Sequence, residues 1–471
     1  MRIVIVGGGP GGYEAALVAA EAGADVTLVS REGLGGNSVL WDCVPSKALI
    51  VSAESMGWMQ TAHRLGVRLP SGADIASRAC VDMVAVMDRV RSLSENQSGD
   101  IGRKVADAGV RIVEGVGRLA GRNAVEAEAA DGRTQVAQAD VVLVATGSRP
   151  RVLPFSEPDG RRVFTSRELY DLKEVPERLI VVGSGATGAE YAQAFARFGS
   201  EVHLISSRER VLPGEDPDAA AVIEDSFEAW GMTIHRQRRA VGMERAAGGV
   251  RVQLGAARGD GEPEWVEGTH ALFCIGQVPA SERLGLEAAG VLLAENGSVP
   301  VDGVSRTNVP TVYAAGDVTG GIMLASVAAM QGRNAMWHAL GRAVAPLDRD
   351  AIAATIFTAP EVASVGLDPA GAAERQMPVD TVALGFAGNP RAKMNERTEG
   401  FVKVHALKGS GTIVGGSVVA ERASDLVTPL SVAVQSRLTV SQLAHAFTIY
   451  PSMSGSVQEA ARLLMGRQTA G

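Results

Sequence analysis

Two glycine runs in this chain have the spelling of phosphate cradles: Gly7-x-Gly9-x-x-Gly12 and Gly183-x-Gly185-x-x-Gly188. In such a run the first glycine permits a tight turn, the second lets backbone N–H groups approach a pyrophosphate, and the third lets helix and strand pack closely. One run alone is weak evidence; two in full context point to two dinucleotide sites. A second chemically suggestive stretch holds a thiol and an ammonium four residues apart, Cys43 and Lys47. With Cys80 and Cys274 the chain has only 3 cysteines, too few and too scattered for a disulfide framework or a four-thiolate zinc site. No metal is expected, and a reducing cytoplasm is the default location.

Each run must be held by a strand before it and a helix after it. Residues 3–6 and 179–182 are short apolar runs of buried-strand type, residues 13–22 and 189–198 are small-residue helices, and glycines 23 and 199 lead into further strands at 25–29 and 201–205. Both segments are therefore βαβ units. Between them Met83, Val84, Val86, Met87, Val90 and Leu93 recur at helical spacing, which predicts an amphipathic helix packed on the first sheet. Strands at 141–144 and 271–275 run into Gly147 and Gly276 and then prolines, the pattern of crossings between domains. A strand at 309–314 and a helix at 324–340 follow; beyond about residue 348 the pattern becomes α+β.

The chain has 471 residues, room for about three domains at roughly 150 residues each. Its 45 Lys+Arg against 53 Asp+Glu leave a net charge of −8, which disfavours nucleic acid as a partner. No apolar run approaches the roughly 18 residues of a membrane-spanning helix. The expected architecture is α/β: two Rossmann-like dinucleotide-binding domains plus an α+β C-terminal dimerisation domain. The expected boundaries are 1–150 with 280–345 for the first, discontinuous domain, 151–279 for the second and 346–471 for the third.

The stretch Gly35-Gly36-Asn37-Ser38-Val39-Leu40-Trp41-Asp42-Cys43-Val44-Pro45-Ser46-Lys47 resembles the active-site segment of the flavoprotein disulfide reductases, the pyridine nucleotide-disulfide oxidoreductases that include dihydrolipoamide dehydrogenase. The likeness extends through Ala145-Thr146-Gly147, Tyr313-Ala314-Ala315-Gly316-Asp317 and Phe357-Thr358-Ala359-Pro360-Glu361. It implies FAD on the first glycine unit, NADPH or NADH on the second, and a homodimer. It also implies that Lys47 lies beside the flavin with Glu190 as its ion-pair partner, and that Asp317 binds the ribityl chain, a role compatible with capping the next helix. The backbone of Leu324 and Ala325 would meet the flavin pyrimidine edge, with Ser326 where the family has His. Gly36, the Ala145-Thr146-Gly147 element and Gly276 would complete the cofactor contacts.

The chemistry departs from the family at two places. Members that reduce disulfides carry two cysteines five positions apart; here the first position is Ser38 and the second Cys43, so no dithiol relay can form. The family's His-Pro-Thr motif, with Glu five residues after the His, reads Tyr450-Pro451-Ser452 with Gly455. A phenol of pKa near ~10 is a poor proton shuttle beside an imidazole near ~6.5. Cys43 is then either a thiolate donating charge to the flavin or a small buried hydrophobe. Tyr450 either lines the acceptor site from the second subunit or fills the space left by histidine.

Nucleotide choice is read at the end of the second strand of the second unit, where NAD-specific units place an acid. Ser206 holds that position, followed by Ser207, Arg208, Glu209 and Arg210, so NADPH should bind and NADH can as well. The first unit has Ser30 there, with Glu32 two residues on. These features resemble the quinone reductase branch of the family: NAD(P)H oxidation with direct transfer from reduced flavin to a quinone. The alternatives are a soluble pyridine nucleotide transhydrogenase, whose family members share the Tyr-Pro, and a redox-quiet flavin or nucleotide sensor.

Overall fold

The computed structural model describes residues 1–71, 75, 79–246, 248–258 and 261–469. Three five-stranded sheets organise it. The first runs Val312–Ala314, Val141–Val144, Arg2–Val6, Asp25–Ser30, Arg111–Glu114, all parallel. The second repeats the plan with Thr233–His235, Glu201–Ile205, Arg178–Val182, His270–Phe273 and Val163–Phe164, again all parallel. Parallel strands are covered on both faces and so need continuous apolar runs. Ile3, Ile5, Leu28 and Leu143 accordingly have no exposed surface, each contributing about 2 kcal/mol by burial.

Each nucleotide domain carries a three-stranded antiparallel meander, Val116–Leu119 to Thr134–Gln138 in one and Arg238–Ala246 to Glu264–Gly268 in the other. The chain leaves the first domain along Ser148–Pro150 and returns along Gln277–Pro279, and these two crossings pair as an antiparallel ribbon. The third sheet is antiparallel, in the order Ala353–Ile356, Glu361–Gly366, Ile413–Ala420, Phe401–Leu407, Val379–Gly385. Helices Thr428–Gln435 and Gly455–Thr469 pack on it.

Three local expectations change. The helices after the glycine turns begin earlier, at Pro10–Glu21 and Ala186–Phe198, so the third glycine of each run lies inside the first turn. The strand expected at 309–314 is confined to Val312–Ala314, since Pro310 offers no N–H to a ladder. The helix Met83–Asp107 is 25 residues long, about 37 Å at 1.5 Å per residue, too long to serve one sheet. Its first half buries Met83, Met87 and Val90 among Leu49, Ala53, Tyr191 and Phe195 between the two nucleotide domains. Only Ile101 and Val105 join the first sheet's core, while Val84 and Leu93 are exposed.

His405, in the third sheet, is buried with its Nδ1 2.8 Å from Thr381 Oγ1, and burial pulls its pKa down to about 4. Between that value and the unfolded one near 6.5 only the unfolded chain holds the proton, so stability falls as pH drops through this window, by roughly 3 kcal/mol in all. Urea unfolding at pH 7 and 4.5 should show His405→Gln losing about 2 kcal/mol less on acidification than the parent. Equal losses would refute this.

Candidate functional site

The two glycine cradles are built alike, atom for atom. A Cβ on Gly7 would strike the carbonyl of Ala145, and one on Gly183 the carbonyl of Cys274. A Cβ on Gly12 would strike the Gly7 carbonyl, and one on Gly188 the Gly183 carbonyl. Gly7 and Gly183 turn through φ +115° and +112°, a region that glycine adopts at no steric cost. Gly9 and Gly185 cap the two helices, and neither helix has a side-chain cap. A Cβ on Gly185 would meet nothing within 4 Å. In the second cradle the first-turn N–H groups beside this open space, with the positive end of a helix behind them, fit a diphosphate; in the first, Pro10 has no N–H and Gly12 N already donates to the Gly9 carbonyl. Gly36 backs directly onto Gly9, and a Cβ on Gly36 would strike the Gly9 backbone.

The strand-end serines are also duplicated. Ser30 is buried and donates to the Gly33 carbonyl at 2.5 Å. Ser206 is fully buried; its Oγ accepts from Ser184 Oγ at 2.8 Å and from the Arg208 N–H at 3.2 Å. Both serines face inward and tie down the following loop, which spacing did not reveal because a serine reads equally well as a ribose ligand. Ser207 is half-buried, and Arg208, Glu209 and Arg210 are exposed. Glu32 is engaged elsewhere: it accepts from Arg167 at 2.7 Å and from Trp41 Nε1 at 3.0 Å. Burial would raise Glu32, but the Arg167 and Arg31 guanidinia outweigh it and hold the carboxyl below its ordinary range.

Asp317, Ser148 and Asn37 form a chain across the first domain: Ser148 Oγ donates to Asp317 Oδ2 at 2.7 Å, and Asn37 Nδ2 donates to the Ser148 carbonyl at 2.7 Å. Asp317 does not cap the next helix. That helix, Ala325–Ala339, has Leu324 as its N-cap residue and no side-chain cap, so its first N–H groups stay available. Thr146 Oγ1 donates to the Ala280 carbonyl at 2.7 Å, and the Gly276 carbonyl accepts from Arg151 N at 2.9 Å. These bonds bind both crossings together beside Gly147.

Lys47 and Glu190 meet between the domains. Lys47 Nζ lies 2.8 Å from Glu190 Oε2 and 4.8 Å from the Phe357 ring centroid, while Glu190 Oε1 accepts from the Phe357 N–H at 2.8 Å. The glutamate side chain is 4% exposed and the lysine 28%. Burial acts against the ammonium, but attraction to Glu190 prevails and holds Lys47 above its ordinary value. Cys43 sits four residues earlier on the same helix. Burial, then the Asp42 carboxylate, push its thiol up to about 11. Ser38 Oγ donates to the Gly35 carbonyl at 2.9 Å. Cys274 is held beneath the second glycine run, its thiol raised chiefly by burial.

Tyr450 does not join this site within one chain. It is 84% exposed, beside Phe447 and Ile449, which are equally bare. Gly455 starts the last helix and offers no carboxylate.

Removing one partner of a buried ion pair leaves the other charge uncompensated, at a cost of about 3 kcal/mol or more. Glu190→Gln should lower unfolding stability by about that amount in urea titrations; a loss under about 1 kcal/mol would mean the pair is solvent-screened.

Residues 1–332 match the family described as pyridine nucleotide-disulphide oxidoreductase, and residues 352–461 match its dimerisation domain. The NAD(P)H dehydrogenase (quinone) of Mycobacterium tuberculosis is 45% identical over 473 residues, covering 98% of this chain and 94% of the relative. The dihydrolipoyl dehydrogenase of Chlorobaculum tepidum is 34% identical over 459 residues, covering 98% and 96%. The crystal structure of LpdA from Mycobacterium tuberculosis matches with a TM-score of 0.92 and 44% identity, over 99% of this chain and all of that one. Similarity of this extent, reaching through both nucleotide domains and the third, means that the chain belongs to the pyridine nucleotide-disulphide oxidoreductase family, whose members use FAD and NAD(P)H.

Proposed function

We propose that this chain oxidises NAD(P)H and passes the electrons to a quinone without a dithiol relay. One observation carries the reading: the Lys47–Glu190 pair is intact, its carboxylate buried, while the first of the two cysteine positions holds Ser38, bonded to the Gly35 carbonyl. FAD, when bound, takes up the hydride of NAD(P)H and returns an electron pair to an acceptor. The chain's own work is then to bind, orient and exclude water. Gly7, Gly9, Gly12 and Gly36 would hold the FAD diphosphate, with Asp317 at the ribityl chain. The Ala145-Thr146-Gly147 element and the free N–H groups after Leu324 and at Ala325 line the rest. Gly183, Gly185 and Gly188 would hold the nicotinamide nucleotide, with Ser207 and Arg208 at its ribose and Gly276 at the crossing. Lys47, kept charged by Glu190, would stabilise negative charge on the reduced ring. The thiol of Cys43, neutral at pH 7 with a pKa near 11, fits a small packing group better than a charge donor. The quinone reading is also supported by the 45%-identical relative named as a quinone dehydrogenase.

The sheets fit a division at 1–150 with 280–345, 151–279 and 346–471. The bare run Phe447, Ile449 and Tyr450, within residues matched to a dimerisation domain, favours burial against a second copy, where Tyr450 would line the acceptor site. No described helix is long and apolar enough to cross a membrane. All three cysteines are free, in keeping with the cytoplasm.

NADPH oxidation by the yellow protein, run with menadione, oxidised lipoamide and a thio-analogue of NAD, separates the readings. Fast turnover with menadione and none with lipoamide is expected. Dominance of the NAD analogue would favour the transhydrogenase, for which Tyr450-Pro451 speaks, and silence with all three the sensor. Arg208, exposed beside the inward-facing Ser206, makes no ion pair among the described residues and is free to meet a 2′-phosphate. Arg208→Ala should raise the KM for NADPH at least fivefold and leave that for NADH within twofold; equal effects on both would remove Arg208 from nucleotide choice.

A further inference from the structure

In an open parallel sheet a ligand lies outside the carboxyl ends of the strands, at the point where the strand order turns back. In the second sheet that point falls between Arg178–Val182 and His270–Phe273. The chain first extends the sheet on one side, through Glu201–Ile205 and Thr233–His235, and then returns to the other side of Arg178–Val182. The two central strands end level, Val182 opposite Phe273. Just beyond them the Cys274 carbonyl and the Ile275 nitrogen lie against Gly183, the first glycine of the cradle. Gly276 then turns through φ +93°, and a Cβ on it would meet nothing within 4 Å, as with Gly185 in the cradle itself. Gln277 follows directly. Its Oε1 is shut off from solvent and has no hydrogen-bond partner. Pro150, opposite it in the ribbon of the two crossings, brings no N–H. Of the four side-chain atoms in this state among the described residues, on Arg197, Gln277, Arg333 and Ser417, it is the only carbonyl oxygen. A buried acceptor without a donor is costly, and native proteins keep few of them.

A dinucleotide held at this crevice has a fixed direction. The loop Ser206 to Arg210, at the end of Glu201–Ile205, lies on the side of the adenosine ribose, and the diphosphate belongs at the helix entrance at Gly185. The nicotinamide half therefore passes over the other side, at the exit of His270–Phe273, where Gln277 stands. That half carries hydrogen-bond donors, the ribose hydroxyls and the carboxamide N–H, whereas the diphosphate carries none. We propose that Gln277 binds the nicotinamide half of NAD(P)H, its Oε1 accepting a hydrogen bond from a ribose hydroxyl or from the carboxamide. Its bonding capacity stays open for the ligand, as the N–H groups of the cradle do. The inference rests on the second cradle taking a nicotinamide nucleotide, and not on which acceptor takes the electrons.

The test is calorimetric binding to the oxidised, FAD-loaded protein with no acceptor present, for the parent and for Gln277→Met, which keeps the length of the side chain and removes the amide. Three ligands divide the nucleotide: NADP⁺, 2′-phospho-ADP-ribose, which lacks the nicotinamide ring, and adenosine 2′,5′-bisphosphate, which lacks the whole nicotinamide half. The same series without the 2′-phosphate serves for NAD⁺. Gln277→Met should weaken NADP⁺ at least fivefold and leave adenosine 2′,5′-bisphosphate within twofold. A loss that persists with 2′-phospho-ADP-ribose assigns the bond to the ribose; a loss confined to NADP⁺ assigns it to the carboxamide. Without nucleotide, Gln277→Met should unfold at a urea concentration no lower than the parent's, since an unpaired buried acceptor has been removed. Unchanged NADP⁺ binding, an equal loss for the bisphosphate, or a lower urea midpoint without nucleotide overturns the assignment. A parent protein that binds neither NADP⁺ nor NAD⁺ overturns the reading of the second cradle and this inference with it.

Discussion

The contact between Lys47 and Glu190 ties the three parts of the molecule together. The lysine belongs to the helix after the first nucleotide unit, the glutamate to the helix of the second, and the N–H that completes the glutamate's bonding to Phe357, at the entry to the third sheet. An ion pair at this depth is tolerable only when its remaining hydrogen-bonding capacity is met. Both Glu190 oxygens are occupied, which fixes the carboxylate and through it the lysine. The contact thereby joins a helix of the first part, a helix of the second and the entry to the third sheet through one carboxylate. Chemistry and packing place the same demand on two side chains.

Around this contact the molecule is a duplication at the level of sterics. The same two carbonyl approaches, Gly7 on Ala145 and Gly183 on Cys274, and the same close approach of third glycine to first, make each cradle. The duplication reaches the serines at the strand ends. Where Gly8 leaves room for Ser30, its counterpart Ser184 instead bonds to Ser206, so the second loop is tied more firmly than the first. That bond takes up the Ser206 hydroxyl, while Ser207 is half-buried and Arg208 and Arg210 stand exposed beyond it. Selectivity in such a site comes from which buried groups are already satisfied as much as from which are charged.

Ser38, Tyr450 and Gly455 stand where family members that reduce disulfides have a cysteine, a histidine and a glutamate, so the groups about Lys47 include few that handle protons. Cys43, with its thiol raised by burial and by Asp42, stays protonated near neutral pH, and the buried hydroxyl pair of Tyr170 and Tyr191 is raised further still.

Much of this was legible in the sequence because it depends on local sterics. A strand, a glycine turn and a helix need only nearest neighbours, so both cradles and the strand runs could be read directly from residue types and spacing, whereas Ser38 in place of a cysteine was legible only through the resemblance. Lys47 and Glu190 were legible through the resemblance, although 143 positions separate them. Tertiary packing decided the rest. The split allegiance of Met83–Asp107 depends on where a second domain comes to lie; spacing gives the apolar face and not its partner. The inward turn of Ser30 and Ser206 and the diversion of Glu32 to Arg167 are matters of which neighbours a side chain finds. By itself the sequence determined two nucleotide cradles and the absence of a dithiol, because backbone sterics and atom types are local. Only the tertiary structure decided which polar groups remain free to act, because satisfaction of a buried polar atom depends on residues far away in the chain.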